Sequence, residues 1–324
     1  MPPSQVNGDA NSTWVGRESD VFKGMTMAEF RESMLGLRMD RAYADVPVRS
    51  HKLLDLGALP EEFNAYEKWP HYMHPIRDQM RCGSCWAFAA SEVLSDRFAL
   101  ASKGAINHVL SPEDMVSCDK SDSGCHGGYL DHAWKYLAEV GIVTDACFPY
   151  GAGKGVAPAC RTTCVNASIP FKKYKSADFY QVKGEEDIMK EIYTHGPVEA
   201  GFRVYSSFMS YASGVYKKKF FDVMEGGHAI KIVGWGVQQP KHFWQKPVKY
   251  LLCLALFYDA LYVYDDDAQG CLAVPTGCGN SHWNARLCRK ATAMLCTITS
   301  HASAGPFHTD EHDCDTFTPP LCPE

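Results

Sequence analysis

The chain lacks an apolar run long enough to cross a bilayer. The stretch from Tyr250 to Tyr258 is nine residues and stops at Asp259, whereas a spanning helix needs about 20, so no membrane span is expected. It also lacks a positive excess: 32 Lys and Arg against 38 Asp and Glu leave a formal charge of -6. Nucleic acid therefore finds no basic footprint, and Lys217-Lys218-Lys219 reads as a solvated loop. The opening Met1-Pro2-Pro3-Ser4-Gln5-Val6-Asn7-Gly8 is polar, without the apolar core of a signal peptide. Among the seven cysteines before residue 250, no paired CxxC knuckle occurs except Cys82 to Cys85, which argues against structural zinc; no metal and no cofactor is expected.

What is present is a chain of 324 residues with 46% apolar content and dispersed Gly and Pro, enough for two packed halves. Helices should dominate the first half, from Trp86 to Leu100, where good helix formers run without Gly or Pro up to a stop at Gly104, and again around Leu130 to Glu139. The second half should be rich in strands. His228-Ala229-Ile230-Lys231-Ile232-Val233 alternates, which places His228 on one face with Ile230 and Ile232. Near the start, Thr26-Met27-Ala28-Glu29 forms a capping box, and Met27, Phe30, Met34 and Leu37 recur at helical spacing on one face. Such a short amphipathic helix needs a surface on which to bury its stripe.

Chemistry concentrates at Cys85. It closes Cys82-Gly83-Ser84-Cys85-Trp86, follows Gln79 by six positions, and stands 143 residues before His228 in Gly226-Gly227-His228-Ala229. An ordinary thiol, with a pKa of about 8.5, is only a few per cent thiolate at neutral pH. The N-terminus of the Trp86 helix favours the anion by about 2 kcal/mol at most. A fall to about 3.5 would require roughly 6 to 7 kcal/mol, so an imidazolium partner is needed on magnitude. The alternative is a buried structural cysteine with a core histidine.

These motifs and their spacing resemble the papain-like cysteine peptidases. The segments Leu59-Pro60-Glu61-Glu62-Phe63 to Pro70, His195-Gly196-Pro197-Val198-Glu199-Ala200 and Gly214-Val215-Tyr216 resemble the cathepsin B subgroup in particular, over roughly Asn7 to Tyr250. The resemblance implies an α+β, two-domain fold: a left helical domain and a right β-barrel-like domain, with the cleft between them. It implies Cys85 as nucleophile, His228 as general base and acid, and Gln79 as the side-chain donor of the oxyanion hole. It also implies disulfides Cys82–Cys125, Cys118–Cys160 and Cys147–Cys164, which leave Cys85 free and point to an oxidising compartment, lysosomal, endosomal or extracellular. Asn11-Ser12-Thr13 and Asn166-Ala167-Ser168 are glycosylation sequons that fit the same route.

The glycines of Cys125-His126-Gly127-Gly128 would let a substrate backbone approach, although they also read as a plain turn. Tyr129, Ala200 and Ala229 fall where the subgroup lines its S2 pocket, which suggests a hydrophobic or aromatic P2 side chain. Residues 1–58 read as a propeptide, an intramolecular inhibitor cut near Leu59, or else as a helix that stays packed for good. Residues 59–250 are the peptidase domain, expected as a monomer acting on peptide or protein substrates. Cathepsin B's occluding insertion with its His-His pair is missing, because Asp145 to Cys160 contains no histidine, so the expected action is that of an endopeptidase.

Two other features depart from the family. Met80 stands where a glycine usually follows the glutamine. After Tyr250 the Asn-Ser-Trp segment is not found, and Asn280-Ser281-His282-Trp283 is a faint echo. The C-terminal strands are accordingly expected to be missing or replaced, with 251–324 a divergent tail. Three explanations remain open: an altered reading frame or retained intron, a diverged homologue that binds peptides or matrix partners without catalysis, or a tail that substitutes for the lost strands.

Overall fold

In the computed structural model, residues 3–41, 43, 45–239, 248–255, 258–264 and 268–273 are described. The helical half is built on α4 (Cys85–Ala101), with α5 (Pro112–Cys118) and α6 (Leu130–Glu139) packed against it. α4 is buried on nearly every side. Its Trp86, Phe88, Val93 and Leu94 share one cluster with Met115, Leu130, Trp134 and Leu137. Ser111 caps α5 by accepting from the Asp114 amide at 3.1 Å, with Pro112 at the first helical position. Three disulfides tie the loops: Cys82–Cys125, Cys118–Cys160 and Cys147–Cys164.

The other half is built on a nine-stranded sheet among the described residues. Its strands are β1 (Trp14–Gly16), β2 (Phe63–Asn64), β3 (Tyr180–Val182), β4 (Val198–Tyr205), β5 (Tyr211–Tyr216), β6 (Met224–Gln238), β7 (Val248–Ala255), β8 (Tyr258–Tyr264) and β9 (Ala268–Ala273). The order is β1-β5-β8-β7-β6-β4-β9-β3, and β2 pairs with β6. β4 and β6 are antiparallel with Phe202 opposite His228, Ala200 opposite Ile230 and Val198 opposite Ile232. These residues share one face, and all but His228 lie in a single apolar cluster with Phe208, Tyr211 and Tyr216. α7 (Glu185–His195) packs against the same sheet.

The anticipated loss of the C-terminal strands takes the form of replacement. β7 pairs with β6 from Lys231↔Leu254 to Gln238↔Val248, and β8 lies antiparallel to β7 and parallel to β5. β9 inserts between β4 and β3. The long strand β6 therefore has hydrogen-bonded neighbours on both sides, which removes the open edge that would promote aggregation. Asn280, Ser281, His282 and Trp283 lie outside the described residues.

A charged contact next to the cleft joins the halves. Lys231 of β6 is buried, with Nζ 2.9 Å from Asp96 Oδ2 and 3.7 Å from Glu92 Oε2 of α4. Burial works against the ammonium, but Asp96 and Glu92 raise its pKa above the ordinary lysine value. Glu92 is pushed up to about 7 by burial, against the pull of Lys231. An isolated buried charge would cost several kcal/mol, and here each has its partner.

The N-terminal region wraps this body. α1 (Pro3–Asn7) precedes β1, and β1 pairs with β5. α2 (Met27–Met34) begins at the Thr26 capping box, both halves of which are formed. Phe30 and Met34 are buried against the barrel cluster. The helix ends at Met34, so Leu37 is not part of its stripe. Leu37 is buried because the chain beyond the helix enters the cleft.

Candidate active site

Cys85 is the first residue of α4, with Ser84 as N-cap. It is a free thiol and fully buried. His228 lies on β6, and the amide of the next residue, Ala229, donates to the Cys85 sulfur together with the amides of Trp86 and Gly36. The packing of α4 on β6 thus brings the thiol beside the histidine's own strand. Gln79 is buried too, its Nε2 donating to Cys82 O at 2.9 Å and to Met34 O at 3.1 Å. Tyr150 braces this loop: its hydroxyl donates to Gln79 O at 2.8 Å and lies 3.0 Å from Ser84 Oγ. The aromatic spacing of the sequence carries no signal for Tyr150.

The segment Met34–Arg38 fills the space over these groups. Gly128 N donates to Gly36 O at 2.9 Å, Arg38 N donates to Gly128 O at 2.9 Å, and Leu37 N donates to Gly227 O at 3.1 Å. Leu37 runs parallel to Gly128 on one wall and antiparallel to Gly227 on the other. The approach at Gly36 is so close that a Cβ there would lie 1.9 Å from the Gly83 carbonyl oxygen. Gly127, with φ +98°, holds the backbone turn that presents Gly128. Farther along, Asp40 accepts from the Tyr129 hydroxyl at 2.7 Å, and the Arg41 guanidinium stacks 4.2 Å over the Tyr129 ring. Arg41 also grips Asp131 with two bonds of 2.8 Å.

This covering sets the charge state. Burial pushes the Cys85 thiol up to about 12, and the three donating amides do not offset it. Burial likewise pushes the His228 imidazole down to about 4, only partly countered by polar contact with the Met34 carbonyl. The thiolate and imidazolium inferred from the sequence are therefore not present in this state, in which both groups are neutral. Desolvation disfavours the charged form of each, and the desolvating surface comes from a segment remote in sequence. Glu199, fully buried nearby, is held well above the carboxylate range by burial, although Trp134 Nε1 donates to it at 2.6 Å.

Strand register sorts the candidate pocket residues. Ala229 pairs with Gly201 and lies in the helical-side cluster with Leu37, Trp86 and Trp134, whereas Ala200 pairs with Ile230 and faces the barrel core. Ala200 and Ala229 thus lie on opposite faces of the ladder, and the position that shares the Ala229 face is Gly201. Alternation along Val198-Glu199-Ala200-Gly201 contained that information, once anchored to the strand carrying His228. Met80 sits at φ 54°, a left-handed conformation that costs a side-chain-bearing residue about 1 to 2 kcal/mol. Its side chain lies against Gly153, where an added Cβ would come within 2.4 Å of Sδ.

Residues 59–246 match the family described as papain family cysteine protease. A cathepsin B-like cysteine proteinase 4 of Caenorhabditis elegans is 36% identical over 260 residues, 70% of this chain and 77% of the relative. A cathepsin B-like cysteine proteinase of Schistosoma japonicum is 35% identical over 274 residues, 74% of this chain and 79% of the relative. Among solved structures, procathepsin B S9 from Trypanosoma congolense superposes with a TM-score of 0.75 at 29% identity, covering 84% of this chain and 96% of that one. A digestive procathepsin L2 from Tenebrio molitor, at 20% identity and a TM-score of 0.70, covers 84% and 87% and shares the fold.

Proposed function

Because the chain belongs to the papain family of cysteine proteases, in its cathepsin B-like branch, we propose that Cys85, His228 and Gln79 perform its peptide hydrolysis and that residues 1–58 hold them latent. The observation that carries this reading is the seat of Met34–Leu37, whose Met34 carbonyl accepts from Gln79 and whose Gly36 amide donates to the Cys85 sulfur. Segment and site are complementary through backbone groups, as an extended peptide would be.

Once the segment leaves, water and substrate replace it, the desolvation penalty falls, and the proton passes from Cys85 to His228. The thiolate attacks the scissile carbonyl carbon, forming a C–S bond. The resulting oxyanion accepts from Gln79 Nε2 and the Cys85 amide, and an amide donor of this kind contributes about 3 to 4 kcal/mol. His228 delivers its proton to the leaving amine as the C–N bond breaks. Water, losing a proton to His228, then attacks the thioester and frees the acid and the thiol. Gly127 and Gly128 hold the substrate backbone, with Tyr129, Ala229 and Gly201 at the P2 side chain.

The stretch from Asp145 to Cys160 carries no histidine pair, which supports endopeptidase action. The three disulfides fit folding in an oxidising compartment, lysosomal, endosomal or extracellular. Internally quenched peptides with blocked C-termini test the reading in chain processed near Leu59. Internal cleavage that disappears in Cys85→Ser is expected. Dominant release of C-terminal dipeptides would refute the endopeptidase assignment, and failure of a thiol-directed epoxide to modify Cys85 in processed protein would favour a peptide-binding module instead.

A further inference from the structure

Away from the cleft, a second set of chemically competent side chains meets where the N-terminal segment crosses α7. His51 is buried, with Nε2 2.5 Å from Glu191 Oε2. His195, one turn along α7 from Glu191, places Nδ1 3.4 Å from the same oxygen. The two imidazole rings lie 6.0 Å apart, and one ligand atom from each of the three residues falls within 4.8 Å of the others. The second carboxylate oxygen is already engaged by Arg97 Nη2 at 2.8 Å and the Tyr180 hydroxyl at 2.7 Å. Oε2 therefore faces the two imidazoles.

We propose that His51, Glu191 and His195 form a divalent-metal site, suited to Zn²⁺, that fastens the N-terminal segment to the protease body. Two imidazoles and one carboxylate are a recurrent zinc donor set, with a fourth position left to water, at metal–ligand distances of about 2.0 to 2.2 Å. Ligand atoms at tetrahedral corners then stand roughly 3.4 Å apart, which the His195–Glu191 separation of 3.4 Å already meets. His51 has to withdraw from Oε2 by less than about 1 Å, a side-chain adjustment. The buried Tyr180 and Arg97 contacts hold Glu191 in place from behind, as outer partners of metal ligands do. Of the other nearby cations, Lys190 lies 3.4 Å from the His51 carbonyl oxygen and is paired with Glu186 at 2.8 Å, and Arg49 stacks 3.9 Å over the Tyr180 ring.

Because one ligand belongs to residues 1–58 and two to the protease body, bound metal opposes departure of the segment. This clamp rests on the propeptide reading, whereas metal binding itself does not.

Zn²⁺ titration by calorimetry into chelator-treated full-length Cys85→Ser protein tests the site, since that background removes the active-site thiol and self-processing. One equivalent should bind, and His51→Ala and His195→Ala should each weaken it by about tenfold or more. Unchanged affinity in both variants overturns the site. Should a variant fail to fold, Co²⁺ added to the parent gives an independent answer: intense visible bands support a four-coordinate nitrogen-bearing site, and a pale six-coordinate spectrum refutes it. If zinc binds as expected yet does not slow loss of the segment after cleavage near Leu59, the clamp fails while the metal site stands.

Discussion

The carbonyl of Met34 accepts from Gln79 Nε2 at 3.1 Å, so the donor assigned to the oxyanion is already occupied by the chain's own backbone. The same carbonyl touches the His228 ring, and two residues on the Gly36 amide reaches Cys85. On the proposed reading, latency is thus more than steric. The segment satisfies the groups that would stabilise the tetrahedral intermediate and, by excluding water, holds nucleophile and base in their neutral forms.

Gly36→Ala tests that seating. The added methyl would lie 1.9 Å from the Gly83 carbonyl oxygen and 2.3 Å from its carbon, both backbone atoms that cannot rotate aside. Overpacking of this kind costs about 1 to 3 kcal/mol, which raises the undocked fraction about 5- to 150-fold. Initial velocity on a quenched peptide, measured while the chain is still full length on a gel, should rise accordingly. No rise would mean that the segment does not approach Gly83 in solution.

Acid should open the cleft. His228 has a pKa of about 4 in the covered state against 6.5 for the free side chain, so the docked form disfavours protonation. In Cys85→Ser chain, where no proton can pass from a thiol to the imidazole on opening, its contribution to docking is fully present above about pH 6.5 and is lost as pH falls toward 4, up to tenfold per pH unit and about 3 kcal/mol in total. Glu92 has the opposite sign, its raised value of about 7 favouring the folded state at low pH. Its perturbers are Lys231, Asp96 and Arg77, none in residues 1–58, so undocking does not read it. Cutting of residues 1–58 in unprocessed Cys85→Ser chain by an added acid-tolerant protease, relative to an unstructured control peptide, should accelerate between pH 6.5 and 4. A flat profile would exclude His228 as the group that responds.

Legibility followed locality. The α6 helix spans Leu130–Glu139, where apolar and polar residues separate cleanly by face, and the Thr26 box caps α2 from within four residues. The stripe drawn through Leu37 overran, because periodicity does not see the break after Met34 that sends the chain into the cleft. β7 and β8 were illegible: Leu251-Leu252-Cys253-Leu254-Ala255 is a short apolar run without alternation, and only pairing with β6 identifies it as strand. The charge state of Cys85 and His228 was also hidden, since it is set by a segment some 50 residues before the thiol. His51 and Glu191 stand 140 residues apart, and no pattern in either neighbourhood announces the other.

The Cys82–Cys125 bridge closes a separation of 43 residues next to the nucleophile, beside the Gly83↔His126 bridge and the Gly83 N to Cys125 O bond of 2.9 Å. Loop-closure entropy assigns it about 4 kcal/mol. Cys82→Ala with Cys125→Ala should lower the denaturation free energy by that order in urea. It should also raise KM, because Gly127 and Gly128 lose their anchor to the Cys85 loop. A loss of stability with KM unchanged would show that the bridge staples the fold without placing the substrate wall.

Lys231→Met separates positioning from packing at the contact between the halves. Methionine keeps the length and apolar stem but removes the charge that compensates Asp96 and Glu92 on α4. Asp96 also accepts from the His74 amide and ring at 2.8 Å each, so it cannot turn toward solvent without breaking those bonds. Leaving a buried carboxylate unpaired costs about 3 to 5 kcal/mol, and protonation of Glu92, whose pKa burial already raises to about 7, should recover part of it. The variant should therefore be strongly destabilised at pH 7.5 and less so at pH 5, a pH dependence that mere loss of packing would not produce. Lys231 lies three residues from His228 on β6, and Asp96 lies on the helix that begins at Cys85. Processed Lys231→Met should accordingly lose kcat more than KM as the two elements slacken, and the double variant Lys231→Met with Asp96→Asn should regain stability by removing the orphaned charge. If the double variant is no more stable than the single one, the ion pair is not what holds thiol and imidazole in register.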